Sequence, residues 1–391
     1  MRASGRKIKC SSKGDGCAVK VAHVSTFLPM RCGIAVYISD LMEALPGIEH
    51  RKYELHYGTS GTVGAAGQAD VSDPMAIREL AYNIAHSDCD VVNLQHEFGI
   101  WGGKFGEHIL GFLDEISLPI VATLHTTFTK ESRPEIQASI LQRIVEQSFA
   151  TVVLTRKSRS TLANLLHVPE DTISVIPHGI PDIPFAPPRS IQPSSAADKP
   201  ALNLLSFGFF RPDKGLEEVI RAVQILKTSG YDCSYVIAGS PQPQFVDQEQ
   251  YYRRIHQLIT DIGLMDSVYL NCRFLTRSEQ IKLIQDSHVG IFAYQDPLHA
   301  SSGAVSLTLA AGRPVICTPF EFALATRMEV DGVRVARDFG ALAIAECLTD
   351  LLSMRMDYGE HVARVHEQTR QRTWGSVARA YDALLASACA S

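Results

Sequence analysis

"SFGFFRPDKGLEEVI" runs from Ser206 to Ile220. An apolar run that begins at Ala201 ends at Gly208. A loop with Arg211 and Lys214 follows, and Gly215 opens a helical pattern with Glu217 and Glu218 in its first turn. Strand, cationic loop and helix in that order make up one half of a βαβ unit. Two cations beside the free N–H groups of a helix start suit a phosphate or diphosphate. A solvated surface loop is the alternative reading of the same spacing.

The same alternation extends in both directions. Upstream, "VKVAHVST" (19–26), "DVVNLQ" (90–95), "LPIVATLHT" (118–126), "ATVVLT" (150–155) and "ISVIPH" (173–178) read as buried strands. Between them, Ile34, Ile38, Leu41 and Leu45 recur at helical spacing, and 106–116 and 134–148 are helical, the latter able to take Pro134 in its first turn. Downstream, strands fall at 234–240, 268–274, 289–294 and 313–318. Continuous apolar strands separated by helices predict an α/β chain with parallel sheets covered on both faces.

Residues 181–200 are rich in proline and have no hydrophobic periodicity, so they read as an interdomain linker or, alternatively, a mobile active-site loop. The predicted layout is a basic, disordered leader over 1–18, a first domain over 19–185, a linker over 186–200 and a second domain over 201–369. The terminal helix, within 370–391, can pack back on the first domain. Two such domains leave a cleft between the carboxyl ends of their strands, where open α/β sheets bind ligands.

Composition narrows the function. A chain of 391 residues is too long for one ordinary core. It is 46% hydrophobic and 20% charged, with a net charge of −5, so no basic field points to nucleic acid. Its nine cysteines are dispersed without CxxC pairs, which favours reduced thiols and a cytoplasmic setting. No run of about 18 apolar residues suggests a membrane span. The leader's Arg2, Arg6, Lys7, Lys9 and Lys13 allow at most a peripheral contact with an anionic membrane face. No spacing for a catalytic metal, nucleophile elbow or Walker loop is present.

Further motifs sit at strand ends. In "HASSGAVSLTLAAGRPVICT" (299–318), Ser302 and Gly303 precede an apolar helix, a start that caps well and admits an anion. In "NLQHEFGIWGGKFG" (93–106), His96 and Glu97 follow a strand, and Trp101 beside glycines suits the apolar face of a sugar ring. His125 and Thr126 end the next strand, and His178 precedes the linker. Gly33 stands where the first strand turns into a helix, but no GxGxxG surrounds it.

Together these stretches, with "RCGIAVYISDLMEAL" (31–45) and "TWGSVARAY" (373–381), resemble a GT-B glycosyltransferase of the large retaining class called family 4. The resemblance runs from about residue 19 to 386. It implies two Rossmann-like domains facing across a cleft and a nucleotide-sugar donor held mainly by the second. Lys214 matches the family's diphosphate-contacting lysine. The family's usual arginine is replaced by Phe209, and Arg211 lies two residues on as its expected substitute. Many members carry two glutamates where this chain has His299 and Leu307; its Ser-Gly start resembles a subgroup without them.

The resemblance implies His125 as the catalytic residue beside the transferred sugar. Arg211, Lys214, Ser302, Gly303 and Gly33 would lie on the diphosphate, and Phe274 and Glu279 on the nucleoside. His96, Glu97, Trp101, Thr126, His178 and His299 would bind acceptor or sugar. The expected partners are a nucleotide sugar of the GDP-mannose or UDP-glucose type and a glycan, lipid-linked or small-molecule acceptor, with no metal and no further cofactor. A nucleotide-sugar epimerase on the same architecture, or a non-catalytic binding protein suggested by the missing glutamates, are the competing readings.

Overall fold

The computed structural model describes residues 18–30, 32–58, 67–129, 134–188, 202–240, 248–353 and 357–391. The basic leader, except Ala18, and residues 189–200 of the linker lie outside the described residues.

The first half alternates β1 (Lys20–Ser25), α1 (Gly33–Glu43), β2 (Glu49–His56), β3 (Gln68–Asp70), α2 (Pro74–Ala85), β4 (Val91–His96), α3 (Ile109–Glu115), β5 (Ile120–Leu124), α4 (Glu135–Gln147), β6 (Ala150–Val153), α5 (Arg156–Leu166) and β7 (Ile173–Val175). The second half continues with β8 (Leu202–Phe207), α6 (Leu216–Thr228), β9 (Cys233–Gly239), α7 (Gln248–Asp261), β10 (Val268–Cys272), α8 (Arg277–Asp286), β11 (Val289–Phe292), α9 (Gly303–Ala310), β12 (Val315–Cys317), α10 (Glu321–Thr326) and β13 (Val333–Val335). Three helices end the chain: α11 (Ala341–Ser353), α12 (Tyr358–Thr369) and α13 (Trp374–Cys389).

The strands form two parallel sheets, β3-β2-β1-β4-β5-β6-β7 and β10-β9-β8-β11-β12-β13. Strand order reverses beside β1 in one and beside β8 in the other, which puts the two crevices at the carboxyl ends of those strands. Every residue of β4 and β5 is buried, as a strand covered on both faces requires.

Strands β2, β3 and β13 were not among those predicted. β2 reads "EHRKYELH"; its Arg51 and Lys52 are exposed, so the apolar run that marks a doubly covered strand is broken. β3 and β13 have only three residues each, too short to show a period. Pro134 stands as the N-cap of α4 rather than inside its first turn.

The terminal helix α13 packs against the first sheet. Tyr381 Oη lies 2.9 Å from Tyr37 Oη and 2.8 Å from Thr123 Oγ1. Trp374, Val377, Tyr381 and Leu385 share a core with Val21, Val91 and Val121. The return crossover is tied at Ile180, whose N–H donates to Arg372 O at 3.0 Å and whose carbonyl accepts from Trp374 N at 2.9 Å. Gly179 leaves room for the Trp374 ring; a Cβ there would lie 2.2 Å from it. Among the described residues no helix is long and apolar enough to cross a membrane.

Polar groups also bridge the two halves. Arg277 on α8 pairs with Asp40 on α1 at 2.7 Å. Ser158 on α5 donates to Glu321 on α10 at 3.1 Å. Burial holds the Glu321 carboxyl above the usual carboxylate range, with Ser158 and Thr127 pulling the other way. A folded pKa above the unfolded one means that this contact is fully favourable at low pH and weakens as pH rises through the folded value. Glu321→Gln keeps an acceptor for Ser158 and removes the ionisation. The variant is expected to melt higher than wild type near neutral pH and at the same temperature near about pH 4, where both side chains are uncharged. A lower melting temperature at neutral pH would show that the carboxylate itself supports the contact.

Candidate active site

The second-domain wall is shaped by glycines. Gly208, at φ +139°, ends β8, and a Cβ on Gly239 would lie 1.7 Å from the Gly208 carbonyl oxygen. The two strand ends can approach this closely because Gly239 carries no side chain, and Gly208 takes a φ that favours glycine. Pro212–Lys214 then form one 3₁₀ turn, closed by Gly215 at φ +63°. A Cβ on Gly215 would lie 2.0 Å from Ala293 O, at the end of β11.

That close approach carries Lys214 inward. Its Nζ sits 3.9 Å from the centroid of the Tyr294 ring, and its side chain is 18% exposed. Asp213 lies 3.5 Å from it and is itself bound by Arg211 Nε at 2.6 Å. Burial lowers the Lys214 pKa from the usual lysine range, and Asp213 offsets part of this. Gly208, Phe209, Lys214 and Tyr294 line a shallow recess.

Tyr294 joins the predicted groups. Besides Lys214, it meets His299 edge-on at 4.6 Å between centroids, and its hydroxyl is 3.2 Å from Ser302 Oγ. Ser302 caps α9 by accepting from Val305 N at 3.3 Å, and the helix's first turn begins at Gly303. The His299 imidazole is pushed down to about 3 by burial and by the neighbouring Lys214 charge, so it is neutral at pH 7. Sequence reading missed Tyr294. It ends an apolar run, and its one signal is a phenol at the carboxyl end of a central strand.

The first-domain wall is built at the ends of β1, β4 and β5. Gly33 opens α1 after Cys32, the N-cap, and among the described residues nothing beyond its chain neighbours and its own helix backbone lies within 4 Å of a Cβ built on it. Glu97 accepts from Phe98 N at 3.1 Å and from the Thr126 hydroxyl. His125 Nε2 lies 2.9 Å from Gln95 Oε1. The Tyr37 ring meets His125 at 4.9 Å and His178 at 5.2 Å, both edge-on. Burial pushes His125 down to about 3 and His178 to about 4, so both are neutral imidazoles at pH 7. The two walls meet at His178, whose Nε2 is 3.6 Å from a Cβ built on Gly303.

Two expectations are corrected. Trp101 is not a sugar platform: it is 0% exposed, packs edge-on against Phe112, and spends its indole N–H on Gln95 O at 3.1 Å. The glycines around it serve close backbone packing, since a Cβ on Gly102 would lie 1.8 Å from Val71 O. His96 is likewise fully buried, edge-on to Phe98, with neither ring nitrogen partnered among the described residues, so it offers a ligand no exposed surface.

The two residues expected on the nucleoside flank the start of α8. Phe274 follows β10 and is 46% exposed. Glu279 caps α8, accepting from Thr276 N at 2.8 Å, and pairs with Arg273 at 2.7 Å. Among the described residues no group of three or more His, Cys, Asp or Glu could hold a metal ion.

Residues 33–182 match the sequence profile of Glycosyltransferase Family 4. Comparison with curated protein sequences gave no match. Among solved structures, Anabaena HepE in complex with UDP and glucose aligns with a TM-score of 0.67 at 12% identity over 94% of this chain and 100% of its own. Sucrose-phosphate synthase from Thermosynechococcus elongatus aligns with a TM-score of 0.68 at 15% identity over 94% and 100%. A UDP-forming trehalose-phosphate synthase from Burkholderia xenovorans aligns with a TM-score of 0.69 at 14% identity over 94% and 99%. The chain therefore has the GT-B fold, with the family 4 glycosyltransferase sequence pattern across residues 33–182 of its first domain.

Proposed function

We propose that this protein is a retaining glycosyltransferase. It moves a hexosyl group from a nucleotide-diphosphate sugar, of the UDP-glucose or GDP-mannose type, to a glycan, a lipid-linked sugar or a small acceptor. The observation that carries this reading is the largely buried Lys214 ammonium beside Tyr294, at the same sheet edge as the Ser302–Gly303 helix start. A cation and a helix N-terminus set around the one Tyr294 side chain suit two linked phosphates. The UDP and UDP-glucose complexes of Anabaena HepE support the same class of donor.

In this reading the bond from the sugar's anomeric carbon to the diphosphate breaks. The acceptor oxygen bonds to that carbon on the same face, and its proton passes to the leaving diphosphate. Lys214, Arg211 and the α9 start stabilise the leaving charge, which requires no metal. Phe274 and Glu279 stand at the nucleoside end. Glu97, Thr126, His125, His178 and His299 hold the sugars in place.

A thermal-shift series with UDP, GDP and ADP tests the donor. One of them is expected to raise the melting temperature; a ligand at a hundredfold excess over its Kd contributes about 2.7 kcal/mol. Incubation with the matching nucleotide sugars and candidate acceptors is then expected to release that nucleoside diphosphate. Binding of none of the three would overturn the reading, and isomerisation of the donor sugar would replace it by an epimerase.

Gly33 tests the opposite wall. Because nothing else among the described residues lies within 4 Å of its Cβ position, Gly33→Val is expected to fold normally and to keep its affinity for the nucleoside diphosphate. Turnover should fall by about tenfold or more, because the branched side chain fills space next to the reacting groups. Full activity in this variant would move Gly33 out of the cleft.

A further inference from the structure

From His125 runs an unbroken line of polar side chains, buried except for the half-buried His50 at its far end. His125 Nε2 lies 2.9 Å from Gln95 Oε1. Gln95 Nε2 donates to Asn93 Oδ1 at 2.9 Å, and Asn93 Nδ2 lies 3.1 Å from His23 Nδ1. His23 Nε2 lies 2.9 Å from His50 Nδ1, and His50 Nε2 lies 3.1 Å from Leu45 O. His23, Asn93 and Gln95 are 0% exposed, and the line crosses from β2 through β1 and β4 to the end of β5. The proposed sugar chemistry does not otherwise use these four residues.

The direction of every hydrogen bond in this line follows from its last member. A backbone carbonyl only accepts, so His50 must carry its proton on Nε2. In neutral His50, Nδ1 then accepts, and His23 must donate from Nε2. His23 Nδ1 in turn accepts from the Asn93 amide, the Asn93 oxygen accepts from Gln95, and the Gln95 oxygen leaves His125 no choice but to donate from Nε2. The amide orientations of Asn93 and Gln95 agree with this sequence of donors at both positions.

We propose that Gln95, Asn93, His23 and His50 are positioning residues that lock His125 in the Nε2–H tautomer. Nδ1 of His125, which has no hydrogen-bond partner among the described residues, is thereby held as a bare acceptor for a hydroxyl of the bound sugar. The sugar contact rests on the function proposed above; the tautomer lock does not. An imidazole free to choose its tautomer would present a donor part of the time and lose that contact. A relay of neutral groups, buried in its inner members, removes the choice without placing a charge beside the sugar.

The full chain, ¹⁵N-labelled on histidine, provides the test, with His125→Gln used to assign the His125 signals. Two-bond ¹⁵N–¹H spectra at neutral pH are expected to show a protonated Nε2 and a bare Nδ1 for His125. His50→Asn keeps an oxygen acceptor near the Nδ1 position and should keep that pattern. His50→Phe removes the acceptor and should convert His125 to a tautomer mixture. With the donor sugar identified above, kcat/KM should fall about tenfold in His50→Phe and stay within about threefold of wild type in His50→Asn.

An Nδ1–H or mixed tautomer in the wild-type protein would overturn the proposal. So would a His50→Phe variant that folds and leaves the His125 signals unchanged. A locked Nε2–H tautomer in a protein that binds no nucleotide sugar would support the relay and overturn only the functional reading.

Discussion

Lys214→Ala is expected to weaken binding of the donor's nucleoside diphosphate about a hundredfold, close to 2.7 kcal/mol. The size follows from where the ammonium sits. Lys214 is 18% exposed and lies against the Tyr294 ring, so water screens it poorly, and a diphosphate placed there gains a charge-assisted bond in a low dielectric. Removing one partner of a desolvated charge pair costs about 2–5 kcal/mol because the other charge is left without compensation. The free protein should tolerate the change. Asp213 keeps Arg211 at 2.6 Å as its counter-charge, so no buried carboxylate is stranded. Isothermal titration of wild type and variant with the nucleoside diphosphate checks the value, and circular dichroism checks the fold. Equal affinities in a folded variant would place the diphosphate elsewhere.

Gly215→Ala should cost about 3 kcal/mol or more of unfolding free energy, read from urea denaturation. Two effects add. At φ +63° a Cβ costs roughly 1–2 kcal/mol on its own. In addition the new methyl would lie 2.0 Å from Ala293 O, a backbone atom at the end of a central strand that has no room to withdraw. Overpacking of this kind typically costs about 1–3 kcal/mol. The strain must be relieved by moving the turn that carries Lys214, so donor affinity should fall with stability. Gly33→Ala provides the contrast: its Cβ enters open space at an ordinary φ, and stability should be unchanged. A Gly215→Ala variant as stable as wild type would mean that the β11 end is free to yield.

The repeated short apolar runs were enough to predict parallel sheets, because a strand covered on both faces cannot afford polar side chains along most of its length. β5 shows this, buried from end to end with Thr123 its one polar residue. β2 shows the limit, since an outlying strand next to three-residue β3 carries charge and loses the signal. The cationic loop before α6 was legible for the same local reason: Gly208, Lys214 and Gly215 are neighbours in sequence, and their turn chemistry is set by residues close at hand.

Tertiary structure alone decided the rest. From sequence, Trp101 beside glycines and His125 at a strand end look like equivalent cleft residues. Only the packing of Gly102 on Val71 and of Trp101 on Phe112 takes the indole fully into the core, while His125, 5% exposed, directly follows the carboxyl end of β5. Tyr294 acquires its place because Gly215 brings Lys214 over it, and His299 and Ser302 close around the same ring. The ladder from His50 to His125 is invisible in one dimension. The period of two tells which side chains share a face of one strand. It does not tell that β1 lies between β2 and β4, which alone sets His23 between His50 and Asn93. Local patterns thus determined the elements and the cationic loop before α6, because backbone conformation answers to near neighbours. The order of strands determined the site, because hydrogen bonds and burial answer to whatever residue the fold brings within reach.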